Sequence, residues 1–120
     1  MRKDISDFLP QVERALGYAN TYNAAEMAVE ILEGRAQLWD ENGAMIVTQL
    51  DYKPRETILR FWIAAGDLQD VLKLANKVYE WGRELGCKRA MFIGRKGWTK
   101  PLTAHGWEAD KRMVLFEKEL

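Results

Sequence analysis

The chain has 120 residues, of which 48% are hydrophobic and 30% are charged. This composition predicts one globular domain over residues 1–120 and excludes a disordered chain. Lys and Arg number 18, as do Asp and Glu, so net charge gives no argument for binding to nucleic acid or to a membrane.

Two helices are predicted in the N-terminal third. The first begins at Asp4 or Ser6, carries apolar residues at helical spacing as far as Leu16, and ends near Gly17. The second begins with Asn23-Ala-Ala-Glu26, which has the pattern of a capping box, and ends near Gly34.

The middle of the chain changes to the period of strands. Residues 35–40 and 44–51 flank Glu41-Asn42-Gly43, and Asn-Gly is the strongest short signal for a β-hairpin. The stretch TILRFWIAA predicts a third strand, so the three strands form an antiparallel meander. Alternation along the third strand predicts one face with Leu59, Phe61 and Ile63, and an opposite face with Ile58, Arg60 and Trp62.

After Gly66 the period becomes helical again. An apolar stripe from Val71 to Leu85 predicts a long amphipathic helix that Gly86 ends. KRAMFI (88–93) then predicts a strand parallel to the third one, because it is reached through a helix. TKPLTAHG predicts a short helix, and RMVLFEKEL (112–120) a closing strand. The order α-α-β-β-β-α-β-α-β describes an α+β domain with one mixed sheet.

The residues available for nucleophilic or metal chemistry are few. Ser6, Cys87 and His105 are each the only residue of their type. We interpret Ser6 as a helix cap and Cys87 as a small buried hydrophobe, and we expect no metal site. No apolar run approaches the roughly 18 residues of a membrane span, and MRKDISDF lacks the apolar region of a signal peptide. We therefore expect a soluble protein from a reducing compartment.

A basic segment, residues 83–113, surrounds the sequence GRKGWTKPLTAHGW (94–107). It holds eight basic and three acidic side chains. Gly94-Arg95-Lys96-Gly97 lacks the spacing of a P-loop, so we interpret it as a strand-to-helix turn whose glycines need positive φ. Binding of an anion or a nucleic acid by this segment stays as an alternative, although the balanced overall charge disfavours nucleic acid.

The order of elements over nearly the whole chain resembles the GNAT acetyltransferase superfamily, with sequence support mainly in residues 58–120. The resemblance lies in the helix LQDVLKLANKVYEWGRELG, the strand KRAMFI and the ending KPLTAHGWEADKRMVLFEKEL, in which Gly106-Trp107 takes the place of the Gly-Phe of GNAT proteins. The chain is also similar to small GNAT-like proteins of tailed bacteriophages, which share a Gly-Cys, then Gly-Arg-x-Gly-Trp, then a Gly-aromatic pair. The resemblance implies a GNAT-like mixed sheet in which strands 56–64 and 88–93 are parallel and diverge.

The resemblance also implies where a coenzyme would bind. In an active GNAT protein the pyrophosphate of acetyl-CoA lies on backbone N–H groups at the start of the long helix, within a Gln/Arg-x-x-Gly-x-Gly/Ala pattern. Here those positions fall on Gly66, Asp67 and Leu68, with Arg95 and Lys96 as assisting cations. The sequence departs from the pattern, because it has one glycine, no preceding basic residue, and two carboxylates (Asp67 and Asp70) spaced as a helix cap and its partner.

The general acid of the family is also missing. Many GNAT proteins have a tyrosine five residues before the aromatic residue of the Gly-Phe pair, and here Leu102 stands at that position. Tyr79 and His105 are the remaining candidates. The asparagine often found after the fourth strand falls near Arg95.

Three hypotheses follow from these observations. The leading one is a GNAT-fold phage protein with a degenerate acyl-CoA site and no cofactor, which acts in or around virion assembly in the host cytoplasm or the virion. It would bind a phage or host protein through Arg95, Trp98 and Lys100. The second is an acetyl-CoA-dependent N-acetyltransferase with a divergent pyrophosphate loop, and the third is anion or nucleic-acid binding by residues 83–113. The sequence indicates no oligomeric state.

Overall fold

The computed structural model describes residues 23–94 and 96–120, together with Phe8 and Pro10. The first predicted helix, from Asp4 or Ser6 to Gly17, therefore lies outside the described residues. The described helices and strands, in chain order, are α1 (Ala24–Leu32), β1 (Gln37–Glu41), β2 (Ala44–Tyr52), β3 (Thr57–Ala65), α2 (Leu68–Glu84), β4 (Ala90–Phe92) and α3 (Thr99–Thr103). A 3₁₀ turn, Lys96–Trp98, precedes α3.

The four strands form one mixed sheet in the order β1-β2-β3-β4. The two antiparallel pairs and the parallel β3–β4 pair confirm the predicted topology. Asn42 and Gly43 both have positive φ, at 52° and 82°, which is the geometry of the tight hairpin turn that Asn-Gly favours. The turn joins the paired residues Glu41 and Ala44.

The sheet has a hydrophobic core on each face. The first core packs against α1, whose capping box is formed by Asn23 and Glu26 as predicted; its buried members include Met27, Met45, Val47 and Ile63. The second core packs against α2; its buried members include Ile46, Leu59, Phe61, Val71, Leu74 and Val78. Helices on both faces explain why β2 begins with a continuous apolar run and not with alternating polar residues.

A β-bulge in β3 makes one sequence prediction wrong. Val47 pairs with Ile63, but the next residue of β2, Thr48, pairs with Phe61. Trp62 is therefore an extra residue in β3, and such an insertion reverses the faces of the residues beyond it. Ile63 lies in the core under α1, whereas Leu59 and Phe61 lie in the core under α2. The three residues do not share a face.

The long helix α2 has the predicted amphipathic stripe as far as Gly82, whereas Leu85, the last predicted member, is 50% exposed. Its buried residues are Val71, Leu72, Leu74, Ala75, Val78 and Gly82. A Cβ at Gly82 would lie 2.8 Å from Cδ2 of Leu59, so this glycine lets the helix approach β3 closely. Gly86 has φ of 86°, and Cys87 N donates to the Gly82 carbonyl at 2.9 Å, which are features of a glycine-terminated helix end.

The predicted closing strand over residues 112–120 is wrong, since residues 107–120 form no strand. The side chains of Met113, Val114, Leu115 and Phe116 are 70 to 89% exposed. The sequence of this segment favours an extended chain, but a strand also requires a neighbouring strand to accept and donate its hydrogen bonds. Among the described residues, no helix is long and apolar enough to cross a bilayer.

Candidate functional site

The candidate site lies where β3 and β4 part. Their parallel ladder runs from Leu59–Ala90 to Phe61–Phe92, and only β3 continues beyond it, to Ala65. The space between the two strands is lined by α2 and by the region of α3. A cavity of about 30 Å³ remains there, with an entirely apolar lining that includes Ala64, Phe92 and Leu102. This volume has room for one or two waters.

Aromatic side chains fill most of this space. The Trp107 ring contacts Phe61 edge-on, with a centroid separation of 5.4 Å. Its indole N–H donates a hydrogen bond of 2.8 Å to the hydroxyl of Tyr79. On the β4 side, Trp98 packs edge-on against Phe92 at 5.7 Å. Edge-to-face pairs of this kind stabilise one arrangement of rings beyond the area that they bury.

Gly106 directs Trp107 into the space. It has φ of 86°, and Trp107 N donates to the Leu102 carbonyl at 3.0 Å, so α3 ends and the chain turns back towards the sheet. The Gly-Trp pair of the sequence is thus a helix-ending glycine followed by a packed ring. His105, on the same turn, is exposed.

The N-terminus of α2 is capped by the chain itself. The carboxylate of Asp67 accepts a hydrogen bond of 3.0 Å from the backbone N–H of Gln69, which confirms the predicted N-cap. Asp70 places a second carboxylate in the first helical turn. Negative side chains at a helix N-terminus satisfy its partial positive charge. This end of α2 therefore presents carboxylates at the position where the GNAT resemblance implies a bound pyrophosphate.

Gly66 is explained by its packing. Its φ is +120°, and a Cβ there would lie 2.8 Å from the Ala44 Cα and 3.0 Å from the Gly43 carbonyl oxygen. Real side chains do not approach a neighbouring backbone so closely, so only glycine lets the residue after β3 lie directly against the start of β2. Leu68, the next residue after the cap, is exposed over more than a third of its surface.

Two titratable groups near the site, Tyr79 and Cys87, keep their protons at neutral pH. Partial burial raises the pKa of the Tyr79 hydroxyl, and the hydrogen bond from Trp107 and the charge of Arg83 offset this only in part. Burial also raises the pKa of the Cys87 thiol. A protonated thiol is a poor nucleophile, so the structure supports the interpretation of Cys87 as a core residue. The described residues contain no cluster that could hold a metal ion.

The predicted partner-binding residues differ in their environments. Lys96 and Lys100 are exposed, whereas Trp98 is half-buried against Phe92. Arg95 lies outside the described residues. The edge-on contact of Trp98 with Phe92 favours a packing role for Trp98 over the predicted partner-binding one.

The predicted positive φ at Gly94 and Gly97 is wrong, because neither glycine is in the left-handed region. Gly94 instead lies against the ring of Phe92, which would have to shift to admit a Cβ at this position. Within the basic segment, Arg89 is already paired through two hydrogen bonds of 2.9 and 3.0 Å with Glu56. Arg112 is paired with Asp110 at 3.1 Å. These pairs reduce the positive charge that the segment offers to an anion.

A wide groove lies on the far side of β4. It has a volume of about 970 Å³ and is lined by β4, by residues His105–Arg112, and by Tyr79 and Arg89. Both polar and apolar groups line it. Sequence reasoning missed this groove, because it placed residues 112–120 in a closing strand of the sheet.

Comparison with known proteins gives a clear result for the fold alone. No protein-family model and no curated protein matches the chain. Solved structures do match. A point mutant of TTHA1254 from Thermus thermophilus is 18% identical, with a TM-score of 0.67 over 100% of this chain and 98% of that one. An acetyltransferase from Trypanosoma brucei is 12% identical, with a TM-score of 0.65 over 97% and 96%.

A third match is an aminoglycoside acetyltransferase from an uncultured soil metagenomic sample, solved with sisomicin. It is 14% identical, with a TM-score of 0.66 over 98% of this chain and 90% of that one. The chain has a GNAT-like fold. The cleft between β3 and β4 and the start of α2 are where the GNAT resemblance implies acetyl-CoA. Asp67 caps the helix, Gly66 is held by β2, and the cleft is filled by rings.

The Tyr79–Trp107 hydrogen bond is the feature of the site that was least predictable from the sequence. The two residues are 28 positions apart. The sequence did contain two signals. Tyr79 comes directly after Val78, which lies on the buried stripe of α2. Gly106-Trp107 has the form of a helix-ending glycine with a large apolar residue after it. Neither feature alone predicts that the two side chains meet.

Proposed function

We propose that this chain is a GNAT-fold protein with a degenerate acyl-CoA site, which acts by protein contact and not by acetyl transfer. The observation that carries the proposal is the self-capped N-terminus of α2. The Asp67 carboxylate already accepts from the backbone N–H of Gln69, and Asp70 adds a second negative charge in the same turn. A pyrophosphate would have to displace the Asp67 carboxylate from the helix N-terminus and would be repelled by both carboxylates.

The cleft supports the same proposal. An acyl-pantetheine arm needs an open channel between the diverging strands, and here Trp98, Leu102 and Trp107 reduce the space to about 30 Å³. The rings also pack against one another and against Phe61 and Phe92. Opening the channel would break these contacts and would expose apolar surface to water.

Isothermal titration calorimetry with acetyl-CoA tests the proposal. We expect no binding at millimolar coenzyme. A dissociation constant in the micromolar range would overturn the proposal. A suitable comparison is the double variant Asp67→Asn, Asp70→Asn, because asparagine is also a good N-cap but carries no charge. If the carboxylates exclude the coenzyme, this variant should bind it more tightly than the native chain does.

The setting that we propose is assembly of a tailed-phage virion, with a phage or host protein as the partner. Its support is the similarity of Gly86-Cys87, GRKGW and Gly106-Trp107 to segments of small phage proteins. Immunodetection of the chain in purified virions and in assembly intermediates tests this setting. Absence from both would refute it.

One observation favours the second candidate function, an N-acetyltransferase. Tyr79 reaches the cleft, and its raised pKa keeps it protonated, as a general acid must be. Its hydroxyl accepts a hydrogen bond from Trp107 and so retains its own proton for donation. Release of free coenzyme A from acetyl-CoA in the presence of amine acceptors tests this function, and its loss in Tyr79→Phe would assign the acid.

A further inference from the structure

The turn between β1 and β2 combines an Asn-Gly pair with a free side-chain amide. Asn42 and Gly43 are both exposed. Among the described residues, none forms a hydrogen bond with the side-chain amide of Asn42. Asn42 is also the only described residue other than glycine that has positive φ, at 52°. The Asn42 side chain is therefore free to rotate about its Cα–Cβ bond.

An Asn-Gly pair places a backbone nitrogen next to a side-chain carbonyl carbon. The Gly43 nitrogen can attack Cγ of Asn42 and close a succinimide ring, because glycine has no side chain to shield that nitrogen. The Cγ–Nδ2 bond then breaks, and Nδ2 leaves as ammonia with the proton of the Gly43 N–H. Water opens the ring at either carbonyl and gives aspartate or isoaspartate. The reaction consumes water, releases ammonia, and oxidises or reduces nothing.

Asn42 is the one asparagine of this sequence that has glycine after it. The others, Asn20, Asn23 and Asn76, precede Thr21, Ala24 and Lys77. Asn76 is the natural comparison, because it is exposed as Asn42 is. It lies within α2, however, where helical hydrogen bonds hold the backbone N–H groups. Exposure alone therefore does not make the two positions equally reactive.

The reaction requires the tip of the hairpin to open, because the backbone must rotate until the Gly43 nitrogen faces the Asn42 side chain. Local opening costs least free energy where few side chains are buried, and exposed loop tips are the usual places for it. Asn42 and Gly43 are exposed, whereas the next residue, Ala44, is fully buried. Opening can thus be confined to the two residues of the turn.

The same turn lies against the start of α2. A Cβ at Gly66, the residue before the Asp67 cap, would lie 3.0 Å from the Gly43 carbonyl oxygen and 2.8 Å from the Ala44 Cα. On the other side of the turn, the carboxylate of Glu41 accepts a hydrogen bond of 2.7 Å from Lys77 Nζ of α2. The turn is therefore held from both sides, and its backbone has little room to lengthen towards Gly66.

We propose that Asn42 is a site of spontaneous succinimide formation, and that its conversion to isoaspartate disturbs the N-terminus of α2. Isoaspartate carries its side-chain methylene within the main chain, so the backbone between Glu41 and Ala44 becomes one atom longer. The geometry of a two-residue hairpin turn depends on its length, so the added atom weakens the pairing of Glu41 with Ala44 or presses Gly43 against Gly66. A neutral amide also becomes a carboxylate. The proposal does not depend on whether the chain binds acetyl-CoA.

Incubation of the folded chain at mildly alkaline pH, followed by peptide mass spectrometry and labelling with an isoaspartyl methyltransferase, tests the first part. We expect Asn42 to be converted at least about tenfold faster than Asn76, because the turn opens more readily than the helix. Asn42→Gly should give no label and keep the hairpin, since Gly-Gly also suits this turn. A sample unfolded in urea shows that the conditions support the reaction. A folded chain that converts Asn42 no faster than Asn76 would overturn the proposal.

The effect on α2 is measured on the modified chains, which anion-exchange chromatography enriches because they carry an added negative charge. We expect a lower urea midpoint than that of the native chain, and faster hydrogen exchange of the Gln69 amide, which the Asp67 carboxylate holds. The matched control is Asn42→Asp, which adds the charge without lengthening the backbone and should stay close to the native chain. Modified chains that equal this control in both measurements would show that the turn does not act on α2, and this part of the proposal would be wrong.

Discussion

Gly66→Ala separates the packing explanation of the α2 N-terminus from a coenzyme-binding one. If Gly66 is glycine because β2 passes beside it, the substitution should destabilise the fold. If it is glycine so that a ligand can approach the backbone, the substitution should affect binding and leave stability nearly unchanged. The same change thus gives opposite results under the two explanations.

The expected loss of stability can be worked from the local geometry. The φ of +120° is unfavourable for alanine, and the new methyl group would lie 2.8 Å from the Ala44 Cα. A residue held in a disfavoured backbone conformation costs about 1–3 kcal/mol. Overpacking against a neighbour costs about 1–3 kcal/mol more. Because the contacted atom is backbone and cannot rotate away, we expect a total loss of about 3 kcal/mol.

Urea denaturation followed by circular dichroism measures this loss. The matched control is Gly34→Ala, since Gly34 also has positive φ, at 79°, but no atom lies within 4 Å of an added Cβ. The control should lose only the backbone part, about 1 kcal/mol. A Gly66→Ala variant that is as stable as the control would refute the packing argument. It would also reopen the coenzyme explanation, if acetyl-CoA binding to the native chain were lost in this variant.

Three other predictions concern single side chains of the site. Asp67→Ala should lower the free energy of unfolding by about 1 kcal/mol, and Asp67→Asn by much less, since asparagine also caps; equal losses in urea denaturation would contradict the capping role. Tyr79→Phe should cost about 1–3 kcal/mol, because the Trp107 N–H loses its acceptor. The pKa of Tyr79 is higher in the folded chain than in the unfolded chain, where it is about 10, so the protonated hydroxyl contributes to stability below that pH. This contribution to the free energy of unfolding is lost as the pH rises through the pKa of the folded chain. Between neutral pH and about pH 11, the melting temperature of the native chain should therefore fall towards that of Tyr79→Phe. A constant difference between the two melting temperatures over this range would refute the prediction. Trp98→Ala should cost about 2 kcal/mol, less than a fully buried tryptophan; a loss below about 0.5 kcal/mol would place Trp98 on the surface as a docking residue.

The sequence predicted the elements whose signals are local. The hairpin at Asn42-Gly43, the capping box at Asn23 and the cap at Asp67 each depend on residues within a few positions of one another. The parallel arrangement of β4 was also predictable, because a helix between two strands constrains how the chain returns to the sheet.

The features that could not be predicted depend on distant partners. The bulge at Trp62 is a property of the β2–β3 pairing and leaves no mark in the alternation of β3 alone. The sequence around Gly94 does not indicate that the ring of Phe92 lies against this glycine. Residues 113–120 have the composition of a strand, but composition does not show whether a neighbouring strand is available for pairing.

The bulge at Trp62 has a consequence for how β3 tolerates changes in chain length. Deleting one residue from a regular strand moves every later side chain to the opposite face of the sheet. In a sheet with a core on each face, this places each of those side chains in the wrong core. At the bulge, the neighbouring β2 residues Val47 and Thr48 pair with Ile63 and Phe61 of β3, so Trp62 has no partner position in β2. Loss of Trp62 alone would join Phe61 to Ile63 and leave each facing its present core. Trp62 is thus the position at which β3 can be shortened without moving any later side chain to the other face, and the cost of the deletion is the packing of Trp62 against the first core.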